Sequence, residues 1–280
     1  MRNVCGMILA VAIVAGCAAL SANATTCGEF KILSYNVHHC RGMDGELSVA
    51  RVAAILNRER SRFAALQEID CRTVRSGGMD EAKELERLTG MTPTFAKTID
   101  FQGGDYGVMI LSKDKPLSVE KFPLPGTEPR VLLMAEFLDC FVGCTHLSVA
   151  DEQERVDSVA IIKKAVERRN KPVFLAGDWN SLPDSPVLKE LCGFLKVLSR
   201  TDCSTFHGDA SAGPSGTAKD FCIDYIAVDS AHADLFRVAD RDVIVDRISS
   251  DHAPVKVTLT PISQHSSRSA PTFVQVANER

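Results

Sequence analysis

From Phe30 onward, short runs rich in β-branched and aromatic residues alternate with stretches whose apolar positions recur at helical spacing. The short runs predict strands over Lys31–Asn36, Phe63–Gln67, Gly107–Ser112, Val131–Leu138, Phe141–His146, Pro172–Gly177, Cys222–Val228 and Pro254–Leu259. Helices are predicted over Leu47–Arg58, Asp80–Leu88, Glu152–Arg168 and Ser185–Leu191. The first helix gathers Val52, Ile55 and Leu56 on one face, and the third gathers Val156, Val159, Ile162 and Val166. Several strands follow one another across short turns, so the sheet structure is not purely parallel. Two mixed sheets packed face to face with helices outside, an α/β arrangement, satisfy the pattern. No repeat and no Pro/Gly/Ser-rich linker divides the body, and one domain over 27–261 is expected. Residues 262–280 turn polar and aperiodic and read as a mobile tail.

The N-terminus carries a different pattern. Arg2 supplies a positive start, Met7–Leu20 is apolar and uncharged, and Ser21-Ala22-Asn23-Ala24 offers small residues at the A-x-A spacing. This is the pattern of a signal peptide over 1–24. The apolar run is shorter than the ~20 residues that a spanning helix needs. Val14-Ala15-Gly16-Cys17 also resembles a bacterial lipobox, so an export product lipidated at Cys17 is the alternative. Eight of the ten cysteines lie beyond Ala24, an even number compatible with either disulfides or buried thiols. Cys140 and Cys144 are too loosely spaced, with no second pair, to read as a zinc site. The net charge of -4 gives no sign of a uniformly basic nucleic-acid surface. Lys163-Lys164 and Arg168-Arg169 read as a solvated helix face.

Candidate chemistry collects at the ends of the apolar runs, where turn residues are the ordinary expectation. Asn36 ends the first strand, and its amide oxygen can serve a metal ion or a phosphate, or simply make a turn. Glu68 follows the interior-looking Phe63-Ala64-Ala65-Leu66, where a carboxylate needs a partner or a metal. Asp178 and Asn180, in Gly177-Asp178-Trp179-Asn180, project to the same side if the backbone is extended; an Asx turn is the bland reading. Asp224 interrupts the apolar run Phe221–Ile226 and calls for a protonated histidine as partner. Asp251-His252 precedes the final strand and offers one metal ligand and one acid/base. His146 ends another apolar strand, a place where a lone histidine is most often structural.

Taken together, Gln67-Glu68, Gly-Asp-Trp-Asn at 177–180, Ile-Asp-Tyr-Ile at 223–226 and Ser-Asp-His at 250–252 resemble the endonuclease/exonuclease/phosphatase superfamily, over about Phe30 to Thr260. The resemblance implies a four-layered α/β sandwich and hydrolysis of a phosphoester with Mg²⁺ or Mn²⁺. It implies Glu68 as the main metal carboxylate, with Asn36 and Asp251 assisting. His252 paired with Asp224 becomes the acid/base; Asp178 and Asn180 orient water and phosphate; His146 binds a phosphate oxygen. Arg130 and Tyr106 are placed to contact the substrate. Tyr-Asn-Val-His-His followed by Gly-Met-Asp-Gly at 42–45 looks like an exported bacterial branch related to the GPI-anchor remodelling domain, which would set His38 and His39 at the pocket rim. Cys40 departs from that branch, and its oxidation with Cys71 is one expectation. The expected substrate is a small-molecule or lipid phosphoester, and the expected state a monomer. A secreted nuclease and a silent binding protein on the same fold are the alternatives. Loops Arg72–Met79, Thr98–Asp105 and Thr205–Lys219, the second offering Phe101 as a stacking or membrane contact, surround the site and carry no readable motif.

Overall fold

The structure, a computed structural model, describes residues 28–208 and 221–262. The expected signal peptide over 1–24, the alternative lipidation site Cys17, most of the loop Thr205–Lys219 and the expected tail from 263 lie outside the described residues.

Two six-stranded sheets are present. The first is built from β1 (Phe30–Asn36), β2 (Phe63–Cys71), β3 (Thr92–Phe101), β4 (Gly104–Ser112), β11 (Phe236–Val243) and β12 (Val255–Pro261), in the order β11-β12-β1-β2-β4-β3. The second contains β5 (Ser118–Leu124), β6 (Arg130–Glu136), β7 (Phe141–His146), β8 (Val173–Asp178), β9 (Leu195–Val197) and β10 (Asp224–Asp229), in the order β5-β6-β7-β8-β10-β9. Both sheets are mixed: β1–β2 and β7–β8 are parallel, the other pairs antiparallel. Each parallel pair is joined through a helix, α1 (Val49–Glu59) in the first sheet and α3 (Glu152–Glu167) in the second, as parallel pairing requires. α2 (Glu81–Thr89) and α4 (Pro186–Leu191) complete the outer layers. The helix starts follow local chemistry. Asp80, Asp151 and Ser185 cap α2, α3 and α4 by accepting from backbone N–H groups of the first turn.

Strands buried on both faces divide their side chains between cores by simple alternation. Ile32, Phe63, Ala65, Leu133 and Ala135 enter the core between the sheets. Leu33, Ala64 and Leu66 face α1 and α2, while Leu132 and Met134 face α3 and α4. The result is the four-layered α/β sandwich, with two mixed sheets inside and helices outside.

Several expectations need correction. Four strands were not anticipated, and β2 continues past Gln67 to Cys71 through a register shift between Leu66 and Ile69. Asp224 begins its strand instead of interrupting one, because β10 runs antiparallel to β8 with Asp224 opposite Asp178. Cys40 and Cys71 are not joined; both are free thiols. Cys40 is buried beside Glu81, whereas Cys71 lies beside Asp80, so the two sulfurs face different neighbours.

Candidate active site

One end of the sandwich gathers the C-terminal ends of β1, β7 and β8, the bulge in β2, the start of β10 and the approach to β12. Asn36 stands at the centre, fully buried. Its Nδ2 donates to Glu68 Oε1 at 3.0 Å and to Asp178 Oδ2 at 3.1 Å, and lies 3.4 Å from His252 Nε2. Its Oδ1 accepts from the His38 backbone at 3.1 Å. The amide therefore fixes two carboxylates from opposite sheets. Glu68 reaches it because the β2 bulge places Glu68 at a φ of 61°, a conformation uncommon outside glycine.

His252 Nδ1 hydrogen-bonds Asp224 Oδ2 at 2.8 Å, and its Nε2 lies 3.6 Å from Asp178 Oδ2. Burial disfavours charge on this ring, but Asp224, and then Asp178 and Asp251, hold its pKa well above the ordinary histidine value. Burial, reinforced by Asp224, raises Asp178 above the usual carboxylate range. His146 Nε2 lies 3.5 Å from Asp178 Oδ2. Burial, and then Arg130 and His252, push the His146 pKa well down, so this imidazole is neutral. Two buried histidines thus carry opposite tendencies, an arrangement suited to acid/base division.

Asn180 does not extend from Asp178. Its φ is 47°, and its N–H donates to Asp178 Oδ1 at 2.9 Å, closing a turn, while its side chain donates to Leu147 O at 3.0 Å. The Asx turn and the functional placement coincide, for both residues line the cleft. Between them Trp179 is fully buried and stacks on Tyr225 at 4.9 Å. The aromatic residue of each motif therefore anchors the acid beside it to the outer core.

The cleft over these groups measures about 550 Å³ and is lined by Glu68, Tyr106, Arg130, His146, Asp251 and His252, besides Asp178 and Asn180. Arg130 is buried and pairs with Glu128 at 3.1 Å. Tyr106 lies beside Arg130 and Glu68; its burial, and then Glu68, raise its phenol pKa. His38 stands 3.9 Å from Asp251 and contacts Arg41 O at 3.2 Å. His39 is not at the rim. A left-handed turn at 38–40 rotates it inward beside Arg75 and Asp70, where burial, and then Arg75, lower its pKa to about 4.

Two positioning residues escaped the sequence reading. Ser250 donates to Asn36 O at 2.8 Å and accepts from the His252 N–H at 3.1 Å. Thr205 Oγ1 accepts from the N–H groups of Ile223 and Asp224 at 3.0 and 3.1 Å. Ser250 was visible as the first residue of Ser-Asp-His; Thr205, remote in sequence from Asp224, carried no signal.

The family model described as the Endonuclease/Exonuclease/phosphatase family matches residues 33–252, which contain every group named above. The chain belongs to this family. No curated protein matches the chain in sequence. Among solved structures, it is similar to the endonuclease/exonuclease/phosphatase from Bacteroides vulgatus at 16% identity and a TM-score of 0.69, over 84% of this chain and 99% of that one. The protein of the same designation from Beutenbergia cavernae DSM 12333 shares 20% identity at a TM-score of 0.67, over 84% and 72% of the two chains. The mannosyl-6-phosphatase Bt3783 of Bacteroides thetaiotaomicron VPI-5482 shares 17% at 0.61, over 82% and 99%. Members of the family are phosphoesterases and nucleases, and this chain is a hydrolase of that kind.

The donor set fits the divalent metal that the family generally uses. Glu68 and Asp251 both line the cleft with hard carboxylate oxygens, the few carboxylates that Mg²⁺ or Mn²⁺ prefers. Asn36, with its Nδ2 toward Glu68, orients that carboxylate in the present arrangement. A second grouping, Asp178, Asp224 and His252, has donor atoms within 4.8 Å of one another. It is better read as a hydrogen-bonded acid/base set, since His252 Nδ1 is already engaged by Asp224.

Proposed function

We propose that this chain is an exported, Mg²⁺- or Mn²⁺-dependent phosphohydrolase that cleaves a phosphodiester or phosphomonoester of a lipid head group, an inositol phosphate or a similar small molecule. The observation that carries this reading is the convergence of Asn36, Glu68, Asp178 and His252 through one amide, above a cleft open to substrate.

Glu68 and Asp251 would hold the cation, which when bound would neutralise phosphate charge that otherwise repels a nucleophile. Asp178 and Asn180 orient the attacking water, and Asp178, with its raised pKa, accepts a water proton. His252, protonated through its pairing with Asp224, donates Nε2–H to the departing oxygen. One P–O ester bond breaks, one P–O bond to the water oxygen forms, and the proton on Asp178 returns to His252 across 3.6 Å. His146 and Arg130 bind the non-bridging oxygens. Export is supported by the charged, apolar and small-residue succession of residues 1–24.

The test is a panel of bis-p-nitrophenyl phosphate, p-nitrophenyl phosphate, phospholipids and plasmid DNA with Mg²⁺ or Mn²⁺, run on the wild type, Glu68→Ala and His252→Ala. Turnover of a small ester is expected, abolished by EDTA and lowered by about 10²–10⁴ in His252→Ala. Plasmid nicking without small-ester turnover would move the assignment to a nuclease. No turnover of any member would refute hydrolysis.

A further inference from the structure

The cleft is asymmetric. Both sheets bring polar groups to it, Glu68, Tyr106 and Asp251 from the first and Arg130, His146, Asp178 and Asn180 from the second, but its apolar residues all lie in connections of the second sheet. Val149 follows β7, Leu182 follows β8, and Phe221 and Ile223 precede β10, yet all four line the same cavity. Val149 is 69% exposed, Leu182 41% and Phe221 37%. Single exposed apolar residues need no explanation, but three from separate connections converging beside reacting groups do. The wall is braced: Arg155, from the first turn of α3, donates to Ser148 O at 2.8 Å and so holds the turn that carries Val149. It is also continuous with the chemistry, because the Phe206 ring packs 4.9 Å from the His252 imidazole.

We propose that the substrate is a small amphiphile, a phosphate ester whose alkyl or aryl substituent lies along Val149, Leu182, Phe221 and Ile223 while its phosphate sits over Asp178 and His252. The proposal rests on the phosphohydrolase reading above. Lysine and arginine in the described lining are confined to Arg130, which pairs with Glu128, and Arg155. That is too few to track a polynucleotide backbone. A polyol laid along Val149, Leu182, Phe221 and Ile223 would find no side-chain hydrogen-bond partner among those four residues. A cavity of about 550 Å³ accommodates a short chain or ring beside the phosphate. Because the wall contacts a part of the substrate that does not react, it strengthens binding before and during the reaction alike and acts mainly on KM.

The experiment is a homologous series of monoalkyl phosphates and alkyl methyl phosphates, from methyl to octyl, with Mn²⁺, followed by release of phosphate or alcohol. A fully buried methylene is worth about fourfold in binding. With partial burial, kcat/KM is expected to rise at least ~10-fold from methyl to hexyl, chiefly through KM. The paired change Val149→Ser/Leu182→Ser should flatten that rise. Leu138→Ser, an exposed residue between β6 and β7 at the other end of the sandwich, should leave the rise intact. A flat or falling series in an enzyme that hydrolyses the methyl esters overturns the amphiphile proposal and leaves phosphoester hydrolysis standing. An unchanged rise in the paired variant overturns the assignment to this wall. Failure to hydrolyse any member overturns the hydrolase reading and the proposal with it.

Discussion

Glu81, the first residue of α2, is a carboxyl with no exposure to solvent. One oxygen accepts from the Asp70 N–H at 2.8 Å, and Cys40 lies against the group. Asp70 itself is committed to Arg75, at 2.6 Å, and to Thr73. Burial, helped by repulsion from the Asp70 carboxylate, outweighs the Asp70 N–H bond and Arg75 and raises the Glu81 pKa from 4.5 to about 8. The folded chain therefore keeps a proton that the unfolded chain releases. That contribution to stability is complete below pH 4.5, is lost as pH rises toward 8 and is constant beyond it. Urea unfolding should show wild-type stability falling between pH 5 and 8 relative to Glu81→Gln, whose uncharged amide does not titrate. Parallel pH profiles for the two proteins would disprove the linkage. At this scale the sequence marked chemistry better than conformation. Asp178, Asp224 and His252 were legible because carboxylates and imidazoles beside apolar runs need partners. The left-handed backbone of Glu68 was not, since glutamate gives no sign of a positive φ, whereas at Asn180 the residue type allowed it and an Asx turn was already one of the two readings.

Gly177 shows how an element constrains its own active end. A Cβ there would lie 2.0 Å from the carbonyl oxygen of Thr145, its registered neighbour on the parallel strand β7. The obstacle is backbone within a buried ladder, so relief requires the strands to part just below Asp178. Gly177→Ala is expected to cost about 2–4 kcal/mol and to lower kcat, read by denaturant unfolding beside steady-state rates. Wild-type stability in this variant would contradict the close approach. The strands that the pattern did reveal share this central setting. β1, β2, β4, β6, β7, β8, β10 and β12 have neighbours on both sides and read as apolar runs. The four that it did not reveal, β3, β5, β9 and β11, are the four sheet edges. Edge strands such as Ser118–Leu124 and Phe236–Val243 present polar and charged residues to water, which blunts further pairing and erases the hydrophobic signal at the same time. The four helices were legible because each buries only one face.

No single sheet holds the site. Asn36, Glu68 and His252 belong to the first sheet and its connections, while His146, Asp178 and Asp224 belong to the second. Their hydrogen bonds span the gap, so their geometry depends on how the two sheets seat against each other. Packed interiors transmit small displacements, and a misplacement of about 1 Å can cost about 10² in rate. Two chemically identical deletions separate this dependence from general stability. Ile226, fully buried in the core between the sheets, lies two residues from Asp224 on the same face of β10. Ile162, equally buried, packs α3 against the outer face of the second sheet. Each Ile→Ala change should cost about 2–5 kcal/mol. Only Ile226→Ala opens a void beneath the Asp224–His252 pair, and its kcat should fall about 10-fold in fully folded protein, against less than about twofold for Ile162→Ala. The measurement is kcat well below each variant's own unfolding transition, with folding verified by circular dichroism. Equal losses would mean that the site senses total stability. Unequal losses in the stated order would mean that the seam between the sheets sets the distance between base, acid and phosphate.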